Sequence, residues 1–555
     1  MIRALPPWGY MPHAASDWDD RPPLPTADMF ARDTYSKLLA EMIGTFLLTY
    51  TIAVAAGSGA FLAAVAIGST LMTAIYAGGH ISGAHYNPAV TLAIFIRGKI
   101  AVAEAVAYVL AQILGGFLGG VAGFVLLDGE ESHPPIGAPD LASGVGRGSA
   151  FLAEVVITFA LAWTVLNVAT TTAQANNSYY GPAIGFTVLS GAISVGGVSG
   201  GCFNPAVVML TFVRAISTES VTEHVWIHIV GPLLGGGLAG ALFVLLQPSE
   251  MSAGHPFGAA SASAPLRKQA APYVYEAVGT FLLCFTVACA ASPRNGSGLA
   301  PLSIGSMLMA QVYSGGSTSG ANYNPAVTLA VWIRKAKSAA GAAGYVLVQC
   351  IAALCAGGVG RAVVTEIGHP VPADSSVIND GRAFWAECVA TFFLCYVVLQ
   401  TATNSLVAGN SFFGLAIGYT VAAMAVTVGP HSGGAFNPAV GLLGLVVEGS
   451  ISSRLWIFWI GPLVGGALAG GLFRLISVEE KVITHKSVKN LNLTETGGKA
   501  SRRRSTLHAD PPAEGVGESF NKYFPTATPT VELKPPPGLK PQPSSAADVK
   551  ADDKI

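Results

Sequence analysis

Between residues 38 and 477 the chain alternates apolar stretches with short polar breaks rich in Gly, Pro and Ser. Twelve stretches approach the ~20 residues that a helix needs to cross a bilayer, centred near 48, 69, 114, 160, 189, 236, 281, 307, 349, 394, 420 and 465. The pattern predicts an all-α membrane protein. Longer polar text interrupts it after the sixth stretch, at 248–272, and again after the twelfth. Five segments follow: an N-terminal segment (1–35), a first six-helix unit (36–247), a linker (248–272), a second unit (273–477) and a disordered tail (478–555).

The units are copies. HYNPAVTLAIFIR (85–97) returns as NYNPAVTLAVWIR (322–334), and GGCFNPAV (200–207) returns as GGAFNPAV (433–440). Asn324 follows Asn87 by 237 residues and Asn437 follows Asn204 by 233, so two halves of nearly equal length stand in tandem. Within each half three spans separate the two Asn-Pro-Ala triplets, and an odd number of crossings makes them enter from opposite faces. The pattern Glu-x-x-x-Thr-Phe, at Glu41, Glu154, Glu276 and Glu387, recurs at the first and fourth span of each half. Each half is thus two inverted three-helix units.

The triplets Asn87-Pro88-Ala89, Asn204-Pro205-Ala206, Asn324-Pro325-Ala326 and Asn437-Pro438-Ala439 combine a strong N-cap with the residue favoured at the first helical position. Each predicts a re-entrant half-helix, and polar Gly/Ser/His text precedes it. Backbone of that kind is tolerated at membrane depth where it is buried in protein or lines a wet cavity. Two half-helices meeting from opposite faces aim their positive ends at one midplane point, where Asn amides can donate to a passing oxygen and cations are disfavoured.

Composition agrees with this reading. Charged residues make up 11% of the chain and hydrophobic ones 51%, against roughly 25% charged in soluble proteins. A net charge of -1 gives no basic excess for nucleic acid. No catalytic, cofactor or metal motif stands out, and the seven cysteines lie in or beside apolar runs as expected of buried thiols. Residues 1–34 lack the features of a secretory signal. With both termini inside, 24 lysines and arginines fall on the inner side and six on the outer, so the positive-inside rule places the termini in the cytoplasm.

With HISGAHYNPAVT around Asn87, Ser-Gly-x-x-x-Asn-Pro-Ala in the later loops, and Gly231-Pro232 and Gly461-Pro462 in the sixth and twelfth spans, residues 36–477 resemble the aquaporin or major intrinsic protein family. Most members hold one six-helix unit, so the tandem form departs from the pattern. The resemblance implies a four-residue constriction near the outer mouth, which falls on Ile67, Ala192, Gly201 and Val207 and on Ile304, Ala425, Gly434 and Val440. Water-only members usually place an aromatic, a histidine and an arginine there. Neither half has any of them. The resemblance also implies that Glu41, Glu154, Glu276 and Glu387 anchor the re-entrant loops.

The expected function is a passive channel for water and small uncharged solutes, with glycerol, urea, ammonia and hydrogen peroxide as candidates. It is not an enzyme, and its partners are those solutes, the lipid bilayer and a second copy of the chain, a homodimer with four pores. A secondary transporter or a scaffolding protein with closed pores is the alternative. The sequence leaves open whether the membrane is the plasma membrane or that of a vacuole or other organelle.

Overall fold

Backbone polar groups in a bilayer find no water, so apolar text of spanning length satisfies them within helices. The computed structural model describes residues 27–127, 136–218, 221, 223–251, 265–295, 298–373, 378–449 and 453–477. All of these belong to one unit, Met1–Lys486; a second unit, Ser487–Ile555, lies outside the described residues, as do most of the N-terminal segment and the tail read as disordered.

The first half comprises α1 (Ala27–Gly57), α2 (Ala63–Ser82), α3 (Pro88–Ile96), α4 (Val102–Leu127), α5 (Arg147–Thr170), α6 (Tyr180–Ser199), α7 (Met209–Thr218) and α8 (Val225–Leu246). The second repeats it with α9 (Pro265–Ala290), α10 (Ala300–Gly315), α11 (Pro325–Ile333), α12 (Ala339–Val363), α13 (Asp380–Ala402), α14 (Phe413–Ser432), α15 (Pro438–Gly441), α16 (Leu443–Glu448) and α17 (Leu455–Ile476). A 3-10 turn, Pro205–Val208, leads into α7. No strand occurs among the described residues.

Eleven of these helices are long and apolar enough to cross a membrane. The expected twelfth, α10, is shorter at 16 residues, about 24 Å at ~1.5 Å per residue. Its counterpart α2 runs on through Gly78-Gly79 to Ser82. After Gly315 the chain instead forms turns, and Ser317 and Thr318 there accept hydrogen bonds from Gln174 and Gln247. A second correction concerns the linker: α9 already begins at Pro265, inside the stretch 248–272.

In each half the helices pair in the same way. α1 lies on α4, α5 on α8 and α2 on α6, as α9 lies on α12, α13 on α17 and α10 on α14. Glycine sets the closest approach. A Cβ at Gly236 of α8 would overlap the Ala89 carbonyl of α3, so α8 fits against the start of the half-helix only without a side chain there.

The halves dock through α5 and α6 of the first against α9, α10 and α12 of the second. Ser190 and Ser194 on α6 bond Ser303 on α10, each hydroxyl pair within 3.1 Å. Tyr275 Oη donates to Asn167 Oδ1 at 2.6 Å, and the rings of Tyr179 and Tyr313 stack at 4.1 Å. This burial is uneven: 78% of the apolar window of α5 is buried, against 33% for α1 and for α2 and 22% for α14.

Candidate pore and constriction

Each triplet starts its half-helix as Asn-Pro chemistry dictates. Asn87 Oδ1 accepts the Ala89 N–H at 2.8 Å and Asn204 Oδ1 that of Ala206 at 3.0 Å, with Asn324 and Asn437 capping Ala326 and Ala439 likewise. The amide nitrogens cross over. Asn87 Nδ2 donates to the Phe203 carbonyl and Asn204 Nδ2 to the Tyr86 carbonyl, both at 2.9 Å. In the second half Asn324 reaches Phe436 at 2.8 Å and Asn437 reaches Tyr323 at 2.9 Å. An Asn amide has two N–H groups, so this crossing leaves a second donor on each asparagine.

Those carbonyls are aimed by strained backbone. Tyr86, Phe203, Tyr323 and Phe436 hold φ of 51°, 51°, 52° and 49°, a left-handed region that bulky residues rarely occupy. Four carboxylates keep the turns in that shape. Glu41 accepts the N–H groups of His85 (2.9 Å) and Tyr86 (2.7 Å) together with Ser82 Oγ and Gln112 Nε2. Glu276 repeats this with Asn322, Tyr323, Ser319 and Gln349. Glu154 takes Cys202, Phe203 and Ser199, and Glu387 takes Ala435, Phe436 and Ser432. Sequence reasoning missed Gln112 and Gln349, although both stand four residues after a tyrosine in the third span of their half, in YVLAQ and YVLVQ.

Two cavities lie against these asparagines. The first, of about 710 Å³, is lined by Ile67, Ala192, Gly201 and Val207 and reaches Asn87 and Asn204. The second, of about 40 Å³, is lined by Ile304, Ala425, Gly434 and Val440 with Asn324 and Asn437. The structure therefore brings together all four residues of each set counted from the triplets. The remaining walls are mostly aliphatic, such as Leu71, Val188, Leu308 and Val421. Residues 293–295 of the second half help wall the first cavity, whereas the lining of the second comes from its own half alone. No group of His, Cys, Asp and Glu suited to a metal occurs among the described residues.

Inverted helix triplets, paired half-helices and cavities lined by the crossing asparagines define a multi-pass integral membrane protein of the channel class. The profile of the major intrinsic protein family matches residues 29–243 and again 272–473, and the chain belongs to that family. Among relatives, it is 36% identical over 215 residues to glycerol uptake facilitator protein-like 6 of Lactiplantibacillus plantarum, a match covering 38% of this chain and 99% of that protein. It is 34% identical over 228 residues to a probable aquaporin TIP-type of Medicago truncatula, covering 39% and 88%. The X-ray structure of the aquaglyceroporin from Plasmodium falciparum aligns with a TM-score of 0.35 at 22% identity, over 38% of this chain and 95% of that one. The family's members are passive channels for water and small solutes, not enzymes, and its single unit occurs here twice.

Proposed function

We propose that each half of the chain conducts water and uncharged solutes larger than water, with ammonia, urea, glycerol and hydrogen peroxide as candidates, and turns cations back where its two asparagines cross. One observation carries this reading: the cavity of about 710 Å³ that has Ile67, Ala192, Gly201 and Val207 on its wall and meets Asn87 and Asn204. Short or aliphatic side chains leave width, and pore width with the donors on its wall decides what passes. The free Asn N–H groups supply donors, and the half-helix N-termini supply the positive potential. The name of the Lactiplantibacillus relative, glycerol uptake facilitator protein-like 6, points toward glycerol.

A coupled transporter needs an acidic group free to bind an ion. Glu41, Glu154, Glu276 and Glu387 each already accept at least three hydrogen bonds. The excess of Lys and Arg on one side supports cytoplasmic termini. The working assembly is a homodimer with four pores, since the faces left open on α1, α2, α13 and α14 correspond by repeat to those that join the halves.

Stopped-flow light scattering on proteoliposomes under water, glycerol, urea and ammonia gradients tests the reading. Rates above those of empty vesicles for water and at least one larger solute are expected. Rates equal to those of empty vesicles would overturn it.

A further inference from the structure

The outer mouth of the first cavity is walled in part by residues that the second half contributes, Pro293, Arg294, Asn295 and Leu299. They lie on or beside the turn between α9 and α10. Asn295 seats this turn, since its Nδ2 donates to the Ser194 carbonyl of α6 at 2.5 Å and to the Cys289 carbonyl at 2.9 Å. The fit is close enough that a Cβ at Gly197 would overlap Asn295 Oδ1. From this seat Arg294 extends, and its Nη2 lies 3.4 Å from the carbonyl of Ser143, in the loop before α5. One guanidinium thus spans from the α6 side of the mouth to the loop of the first half.

An arginine keeps its charge at every physiological pH. Asp140, packed beside Gly200 near the same loop, is already paired with Arg214 at 3.0 Å. The constriction itself is uncharged, with Val207 buried on its wall. We infer that Arg294 is a specificity-determining residue of the first pore supplied by the second half, raising the barrier to cations at the outer mouth and offering donors to the oxygens of neutral solutes.

The repeat makes this one-sided. By the offset of 237 residues, Gly57 and Ser58 stand where Arg294 and Asn295 stand in the second half, and Pro430 of α14 replaces Gly197 of α6. Among the described residues no arginine lines the second cavity, whereas Arg294 lines the first, so the two pores differ in charge at their mouths.

The inference rests on the cavity being the conducting path, and the test separates the two. Full-length protein in proteoliposomes carries Val440→Trp to plug the second pore, or Val207→Trp to plug the first. Methylammonium and urea fluxes are measured for Arg294→Lys, Arg294→Gln and Arg294→Glu, with water flux through the Val440→Trp protein reading the path itself. A unit charge beside a wet path changes cation entry by about three-fold. In the Val440→Trp background the methylammonium-to-urea ratio should rise about that much for Arg294→Gln, rise further for Arg294→Glu and stay near the parent value for Arg294→Lys. The differences should shrink between about 10 mM and about 500 mM salt. In the Val207→Trp background the same substitutions should leave the ratio alone, although residue 294 belongs to the second half of the sequence. An unchanged ratio in the first background, or a shift confined to the second, would overturn the assignment. Absence of water and urea flux through the Val440→Trp protein would overturn the conducting path and the assignment with it.

Discussion

Asn87 and Phe203 stand 116 residues apart in the chain, yet the Asn87 amide donates to the Phe203 carbonyl at 2.9 Å. Asn204 returns the bond to Tyr86. The side chains that start the half-helices therefore also tie the two re-entrant turns together. Any substitution there acts on both turns at once.

Replacing Asn87 and Asn204 together by Asp puts carboxylates against the carbonyls of Phe203 and Tyr86 and offsets the positive half-helix ends. Proton leak through the first pore should rise, read with a pH-sensitive dye inside vesicles whose second pore is plugged. The doubly substituted protein should also lose stability, by about 1–3 kcal/mol for each carbonyl left unpartnered. A leak equal to that of the parent would count against the midplane barrier.

Glu276→Ala should unfold the protein more readily than Glu276→Gln. The alanine orphans the N–H groups of Asn322 and Tyr323 and takes one acceptor each from Ser319 Oγ and Gln349 Nε2, which keep Gly315 O and Thr328 Oγ1, while glutamine keeps one acceptor oxygen. Each orphaned buried donor costs about 1–3 kcal/mol. Thermal unfolding in detergent measures the difference. Equal midpoints for the two variants would show that Glu276 does not hold the turn through these bonds.

The helical series, the tandem repeat and the offsets between triplets are legible in the sequence because each follows from local composition or from self-similarity. Counting residues from Asn87 or Asn204 finds the side chains that line the first cavity, since a half-helix and its neighbouring span keep fixed register. How the halves meet is not legible. A repeat says that two units are alike, but it does not say that Ser303 faces Ser190 or that Arg294 crosses to the first half, because those contacts depend on docking between helices more than a hundred residues apart. The short α10 was hidden for a related reason. Gly315-Gly316 could continue a helix as Gly78-Gly79 does, and it is bonding by Gln174 and Gln247 from elsewhere in the chain that accompanies the change to turns.

Adjacent glycines on α8 should respond oppositely to alanine. At Gly236 the new methyl meets the Ala89 carbonyl, whereas at Gly237 only Leu92 Cδ2 comes near, at 3.9 Å. Gly236→Ala should lose about 1–3 kcal/mol through overpacking. Gly237→Ala should be neutral or gain up to about 1 kcal/mol from helix propensity. Unfolding midpoints of the two proteins, compared side by side, decide the matter; similar losses would mean that α8 does not press on α3 at Gly236.

Assembly follows from the unequal burial of repeated faces. α5 and α6 are covered by α9 and α10, while their counterparts α13 and α14, and α1 and α2, are less buried. A two-fold rotation would bring the less buried pairs together and close a ring of four pores. Native mass in mild detergent should correspond to two chains. A stable monomer, or four full-length chains, would refute this arrangement.

Selectivity offers the most direct test of the constriction. Ala192, Gly201 and Val207 in the first half, with Ala425, Gly434 and Val440 in the second, put only short side chains on the cavity walls. Two bulky neighbours could narrow the opening, Phe203 and Phe436, but both rings are buried. The Phe203 ring packs against the Gly191 and Gly201 positions and the Phe436 ring against Gly434, recesses that a side chain at those glycines would crowd. Phe203 and Phe436 nonetheless line the two cavities beside the short side chains. Arg at Val207 and Val440 together adds bulk and charge at the expected constriction, so urea and glycerol flux should fall roughly ten-fold, the effect of about 1.4 kcal/mol on a barrier. Water flux should fall much less, because a water molecule fits past a guanidinium and can accept a hydrogen bond from it. If the double variant lowers water and urea flux by the same factor, aperture is not what separates them. If the parent protein passes water but neither urea, glycerol, ammonia nor hydrogen peroxide, the aromatic rings rather than the short side chains set the width.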